Sequence, residues 1–141
     1  MRKKIISVVC FLLAVFVSHG IAADSASFFF LQLSDPQFGF MDNNKSISAE
    51  TEAMNKAVTA INQLKPPFVV ITGDFVNNSK SKEQIAAYKS MIAQIDSSVK
   101  VYMIPGNHDI GKVSRASIDN YKKNYGEPHF SFRYGDCAFI G

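Results

Sequence analysis

The chain has 141 residues, of which 47% are hydrophobic and 19% charged, and a formal net charge of +3; the composition is globular rather than disordered, and the length holds one domain with one core. The positive charge does not indicate a nucleic-acid partner. Arg2, Lys3 and Lys4 account for three of the 15 basic residues and precede the first acidic one, Asp24, so the rest of the chain balances its 12 acidic residues and carries no basic stripe interleaved with aromatics.

Those three cations lead into an apolar stretch over residues 5–17, followed by the small residues Gly20, Ala22 and Ala23. A charged start, an apolar middle and a small-residue end predict a secretory signal over residues 1–23. The apolar stretch falls short of the roughly 20 residues that a spanning helix needs; a short membrane anchor or a buried helix is the alternative. The chain is therefore expected to be exported, to the periplasm or the extracellular space, with no membrane span in residues 24–141. Cys10 lies inside the signal, without the small residues after it that lipid modification requires. Cys137 is then the single cysteine of the mature chain and has no internal disulfide partner. Its neighbours Ala138, Phe139 and Ile140 predict a buried strand thiol.

After a loose start at residues 25–27, the continuous apolar run over 28–33 ends at Ser34-Asp35-Pro36 and predicts a buried strand. Ala53, Met54, Ala57, Val58, Ile61 and Leu64 follow at helical spacing. Ser48 is the expected N-cap, Glu50 and Glu52 suit the positive end of that helix, and Pro66-Pro67 stops it. The second strand is Phe68–Thr72, leading to Gly73-Asp74. Ser81 and Gln84 predict a capping box for a second helix, whose apolar face carries Ile85, Tyr88, Ile92 and Ile95. A third strand over 99–104 ends at Pro105-Gly106-Asn107-His108-Asp109. A third helix is expected over 117–125, with Ile118, Tyr121 and Tyr125 in phase as core residues. Residues 130–134, a Gly135-Asp136 turn and Cys137–Ile140 read as a hairpin.

Three strands, each followed by a helix, make an α/β domain. Right-handed crossovers render such strands parallel, and their carboxyl ends then lie along one edge of the sheet, where open α/β sheets place their sites. Each loop at those ends has a plain explanation when taken alone. An Asp after a strand caps helices or forms turns, Gly-Asp is a common turn dipeptide, and Asn-His-Asp is compatible with a hydrogen-bonded loop. Asn77, Asn78 and Asp42 read as loop-solvating residues, with contact to a substrate as the alternative.

In this order, however, Ser34-Asp35-Pro36-Gln37, Gly73-Asp74-Phe75-Val76-Asn77 and Gly106-Asn107-His108-Asp109 resemble the calcineurin-like metallophosphoesterases, whose ordered motifs are Asp-x-His, Gly-Asp and Gly-Asn-His-Asp/Glu. The resemblance runs from Phe28 to the end. Gln37 stands where His is usual, and Ser34-Asp35-Pro36-Gln37-Phe38-Gly39 is similar to the branch typified by calcineurin-like phosphoesterase domain-containing proteins. The resemblance implies a four-layer α/β/β/α sandwich, of which this chain carries a part that stops before the second half. It also implies hydrolysis of phosphate esters by a metal-activated water at a site of two ions, each Fe, Zn or Mn. By the same resemblance Asp74 lies between the metals, Asp35 and Gln37 serve the first and Asn107 the second. His108 protonates the departing alkoxide, and Asp109 orients its ring.

The chemistry accounts for these residue types. Phosphoryl oxygens are anionic and water is a poor nucleophile; two cations about 3.5–4 Å apart neutralise the one and acidify the other, and a carboxylate is needed between them. A Gln is a neutral oxygen donor, weaker than imidazole toward most transition metals. Imidazole, with an ordinary pKa of about 6.5, suits proton donation near neutrality.

The resembling family completes its site with later histidines, an isolated one and a Gly-His-x-His pair. The three histidines here are His19 in the signal, His108, and His129, which fits neither pattern and reads as structural. The chain is accordingly expected to be a piece of a longer protein, poorly active alone, needing the remaining half or a complementary chain beside its phosphate-ester substrate. Two other readings stay open: a non-catalytic metal-binding or interaction fragment, and a nuclease on the same scaffold, against which the neutral charge counts.

Overall fold

A computed structural model describes residues 27–141; the expected signal over residues 1–23 lies outside the described residues. Strands β1 (Leu31–Ser34), β2 (Phe68–Thr72) and β3 (Lys100–Ile104) form a parallel sheet in the order β1-β2-β3. Helix α1 (Ser48–Leu64) joins the first two and helix α2 (Lys82–Ile92) the last two. With consecutive strands adjacent, right-handed crossovers set both helices on one face, where α1 and α2 touch. The short helix α3 (Asn107–Ile110) follows β3, then helix α4 (Arg115–Tyr125), and the antiparallel pair β4 (Ser131–Tyr134) and β5 (Cys137–Ile140) ends the chain.

The register decides where the site falls. Ser34 is level with Thr72, and Thr72 with Ile104. The three strands therefore end together, and their loops emerge side by side.

Alternation along β2 builds two apolar layers. Val69 and Ile71 point into a core shared with Met54, Val58 and Ile61 of α1 and Tyr88 of α2. Phe68 points the other way, into an aromatic layer that carries the hairpin. Phe30 stacks on Phe68 at 5.0 Å, Phe139 meets Phe68 edge-on at 4.9 Å, and Tyr102 stacks on Phe132 at 3.8 Å. The result is a helix layer, a sheet and a second, two-stranded sheet, in agreement with the expected α/β class and with three layers of the expected sandwich. Among the described residues, no helix is long and apolar enough to cross a membrane.

Several local expectations give way to tertiary contacts. β1 starts at Leu31, because Phe28 and Phe30 belong to the aromatic layer. Ser48 is the first helical residue of α1 rather than its cap; Ile47 holds the cap position, and the Ser46 hydroxyl accepts the Ser48 N–H at 3.2 Å. Glu50 is buried and accepts the Met41 N–H at 2.7 Å. Ser81 caps α2, accepting from the Gln84 N–H at 3.3 Å, but the Gln84 side chain does not return to close a capping box. It is buried instead, accepting the Asn78 N–H at 2.8 Å and donating to Asn44 at 2.8 Å. Two partners in neighbouring loops satisfy a buried amide better than one at its own helix end. Helix α4 starts earlier than expected, at Arg115, with Ser114 as its cap. Cys137 is exposed, not buried, since it pairs with Tyr134 at the turn end of the hairpin.

Tyr121 is fully buried, as expected for a helix-face core residue. Together with Tyr88 and Tyr125 it surrounds Phe75, which stacks on Tyr88 at 4.7 Å and meets Tyr125 edge-on at 5.1 Å. Burial first, and the nearby Asp109 carboxylate second, push all three phenols above their ordinary value, so they stay protonated. Phe75 is wholly inaccessible. Phe75→Ala is expected to cost about 3–5 kcal/mol in urea unfolding, the range for a large aromatic truncated in a core.

Candidate metal centre

Three of the expected site residues sit in strained backbone. Asp35 has φ 52°, Gln37 φ 30° and Asp74 φ 45°. Non-glycine residues seldom adopt positive φ, at a cost on the order of 1 kcal/mol or more each. Contacts between the loops hold them there. Gln37 donates its N–H to the Asp74 carbonyl at 2.8 Å, Phe38 to the Phe75 carbonyl at 3.1 Å, and Asn77 returns one to the Phe38 carbonyl at 3.0 Å. Phe38 and Val76 form a parallel bridge that carries the β1–β2 pairing past the strand ends. Both side chains are fully buried.

The second and third loops meet through glycine. Gly73 has φ 77°, and a Cβ there would stand 2.8 Å from the Gly106 Cα. A Cβ on Gly106 would collide with the Asp74 carboxylate and backbone nitrogen. Only two bare backbones fit so close, which explains why a glycine stands before Asp74 and another before Asn107. In return, His108 donates its backbone N–H to Asp74 Oδ1 at 2.8 Å. Asp74 is 8% exposed, and its other carboxylate oxygen has no hydrogen-bond partner among the described residues.

Asp109 holds the two loops together from beneath. It is 1% exposed. Its Oδ1 accepts from the N–H groups of Phe75 at 2.9 Å and Val76 at 3.4 Å, and its Oδ2 accepts from Gly106 N–H at 2.9 Å. Burial pushes its carboxyl up to about 6, against the pull of those three donors and with added repulsion from Asp74. Both oxygens are thus engaged, and the expected contact from Asp109 to the His108 ring is not made. His108 Nδ1 lies 2.9 Å from the Asn77 carbonyl instead. Successive helical residues point about 100° apart, so positions 108 and 109 in the first turn of α3 face different neighbours. A carbonyl only accepts, so Nδ1 carries a proton, and Nε2 is the nitrogen left to exchange one.

Asn77 does more than face solvent. Its side chain accepts from Gln37 Nε2 at 3.3 Å and donates to Asn44 at 2.9 Å, while its carbonyl holds His108. Its place at the end of Gly73-Asp74-Phe75-Val76-Asn77 was the available signal. Asn78 and Asp42 are exposed, and Asn78 Oδ1 accepts the Lys80 N–H at 3.0 Å. His129 is exposed and lies outside this group.

Asp35, Gln37, Asp74 and Asn107 therefore stand on three adjoining loops. Asp35 is exposed and accepts from the Ser34 hydroxyl; Asn107 is the exposed first residue of α3. Gln37 commits its amide nitrogen to Asn77, leaving its oxygen as the free donor. Two carboxylates and two carboxamide oxygens suit a hard divalent cation, and the nearly buried, half-engaged Asp74 carboxylate calls for a positive partner. The residues fit one side of a metal centre. Among the described residues no three His, Cys, Asp or Glu side chains converge, so the carboxamides of Gln37 and Asn107 would have to complete the ligand set beside the two carboxylates.

A family model described as calcineurin-like phosphoesterase matches residues 30–140. The chain belongs to the calcineurin-like phosphoesterase family. Among its relatives, a serine/threonine-protein phosphatase CPPED1 of Bos taurus is 33% identical over 129 residues, covering 80% of this chain and 41% of the relative. The Homo sapiens protein of that name is 30% identical over 144 residues, covering 91% and 46%. A solved dimetal phosphatase from Danio rerio superposes with a TM-score of 0.50 at 20% identity, over 70% of this chain and 34% of that one, a likeness of fold. The chain spans less than half the length of the curated relatives it matches.

In this member of the calcineurin-like phosphoesterase family, the neighbouring motif residues His108 and Asp109 have separable structural weights. Asp109→Ala strands three backbone N–H groups and is expected to lower unfolding stability by at least about 3 kcal/mol, whereas His108→Ala removes one ring contact and is expected to cost about 1 kcal/mol. Urea unfolding of the two variants measures the difference; equal losses would mean that Asp109 does not tie the loops.

Proposed function

We propose that this chain contributes to a metal-dependent phosphoesterase centre that hydrolyses phosphate esters, with phosphoserine or phosphothreonine in a protein as the first substrate to test. The observation that carries this reading is the Asp74 carboxylate, nearly buried and half-engaged where three loops meet. The relatives' name, serine/threonine-protein phosphatase, supports the choice of substrate.

Asp35, Gln37, Asp74 and Asn107 would hold two metal ions, Fe, Zn or Mn, which when bound supply charge to neutralise a phosphate and to acidify water. Asp74, nearly buried where the loops meet, would be the carboxylate common to both ions. His108 has its Nδ1 occupied by the Asn77 carbonyl, which leaves Nε2 to hand a proton to the departing alkoxide. Asp109 keeps the loops in register and stays out of the proton transfer.

One observation favours a second reading, a metal-binding or interaction module without turnover: the four candidate ligands are two carboxylates and two carboxamides, with no imidazole among them. Calorimetric titration with Mn2+, paired with phosphate release from a phosphoserine peptide, separates the readings. The phosphoesterase reading expects metal binding that weakens at least about tenfold in Asp74→Asn, and slow Mn2+-dependent release that falls about 100-fold or more in His108→Ala. Binding without release supports the second reading. Absence of both binding and release overturns the phosphoesterase reading and leaves of the second only an interaction module without metal.

We also propose export with cleavage after Ala23, on the charged, apolar and small residues of the first 23 positions. N-terminal sequencing of the chain recovered from the periplasm or medium of an expressing bacterium should begin at Asp24; recovery only from the cytoplasm with residues 1–23 attached counts against export.

A further inference from the structure

Helices α2 and α4 and the segment between α3 and α4 border a cleft of about 850 Å3. Four lysines line it, Lys80, Lys82, Lys112 and Lys123. All four are exposed. Among the described residues none of them is in a salt bridge; the cations that are paired, Lys56, Lys65 and Lys122, lie elsewhere. The one acid on the lining is Asp109, whose oxygens are both taken up by backbone N–H groups. Ser79, Ser114 and other uncharged residues complete the wall. The cleft also receives the starts of α2 and α4, whose N-terminal ends add positive potential.

This concentration is unusual for the chain that bears it. Beyond residue 23, basic and acidic side chains balance, yet here four lysines line one cleft with Asp109 as the single acid on its wall. Such a focused positive cleft attracts and orients anionic partners. Its position is equally specific. Lys80 follows shortly after Asn77, whose carbonyl holds the His108 ring, and Lys112 follows shortly after His108 itself. Both walls are therefore continuations of the backbone that frames the proposed reaction centre.

We propose that this cleft binds an acidic segment of the substrate protein, Asp, Glu or a second phosphorylated side chain, adjoining the phosphate that is hydrolysed. The placement rests on the phosphoesterase reading; the ligand chemistry rests on the lysines alone. Lysines spread around a volume of this size match several separate anionic side chains better than one compact phosphate. A nucleic acid would call for a basic stripe tracking a backbone, and the balanced charge of the remaining chain does not provide one.

Fluorescence anisotropy with the full chain tests this without requiring turnover. The probes are an unphosphorylated peptide rich in Asp and Glu, the same peptide with Asn and Gln in their place, the acidic peptide bearing phosphoserine, and a single-stranded oligonucleotide of equal charge. The acidic peptide is expected to bind at least about fivefold more tightly than its neutral counterpart, a preference that salt weakens. The double variants Lys80→Gln/Lys82→Gln and Lys112→Gln/Lys123→Gln should each reduce that affinity about fivefold, as two partly solvated ion pairs allow, while Lys56→Gln on α1 leaves it unchanged. Equal binding of the neutral, acidic and phosphoserine-bearing peptides, or indifference to both double variants, overturns the proposal. So does an oligonucleotide that binds as tightly as the acidic peptide. Affinity that rises only with phosphoserine locates the preference in a second phosphate rather than in carboxylates and supports the same cleft if the lysine variants abolish it. Acidic-peptide preference in a chain that neither binds Mn2+ nor releases phosphate upholds the lysine site and removes the hydrolytic reading; metal-dependent hydrolysis indifferent to flanking acids does the reverse.

Discussion

Asp109 accepts hydrogen bonds from the backbone N–H groups of Phe75 and Val76 on one loop and of Gly106 on another. A charged acceptor gives each such bond about 1.5–3 kcal/mol, set against the cost of taking a carboxylate out of water, which is why its carboxyl rises to about 6. Everything at the site follows from that cross-link. It draws the loop after β2 onto the start of α3, presses Gly73 against Gly106, and brings the His108 N–H to Asp74. The ring of Phe75, seated among Tyr88, Tyr121 and Tyr125, fastens the same loop to the helix-side core.

Strain and support are distributed unequally. The positive φ values of Asp35, Gln37 and Asp74 lie where the chain leaves the first two strands; one of the bonds that sustain them joins Gln37 to Asp74 directly, and the others lie one to three residues further on, at Phe38, Phe75 and Asn77. The candidate ligands are thus held partly by one another and partly by neighbours that are not ligands. Sheet register does the coarse alignment, and the loop bonds do the fine alignment.

The sequence reveals much of the framework for identifiable reasons. β2 is legible to the residue because it is apolar on both faces and bounded by Pro66-Pro67 and Gly73. α1 and α2 are legible from their apolar stripes. Helix α3 is not, since four residues are too few to display a period. The motif residues are recognisable through their order at strand ends and through family resemblance, but spacing conveys nearness and not direction. That is how Asp109 came to be expected beside the His108 ring when it faces Phe75 and Gly106. Cys137 misleads for a related reason: apolar neighbours describe a strand without saying that its first residue stands at the turn. The partner of His108 was invisible in principle, because a main-chain carbonyl has no letter of its own.

That last partner has an evolutionary corollary. An imidazole held by a carboxylate loses its tautomer when the carboxylate is mutated. Here the acceptor is the peptide carbonyl of residue 77, which every amino acid possesses. The Asn77 side chain is constrained by its bonds to Gln37 and Asn44, but selection on proton placement at His108 acts through backbone geometry, at Gly73, Gly106 and Asp109, rather than through that side chain.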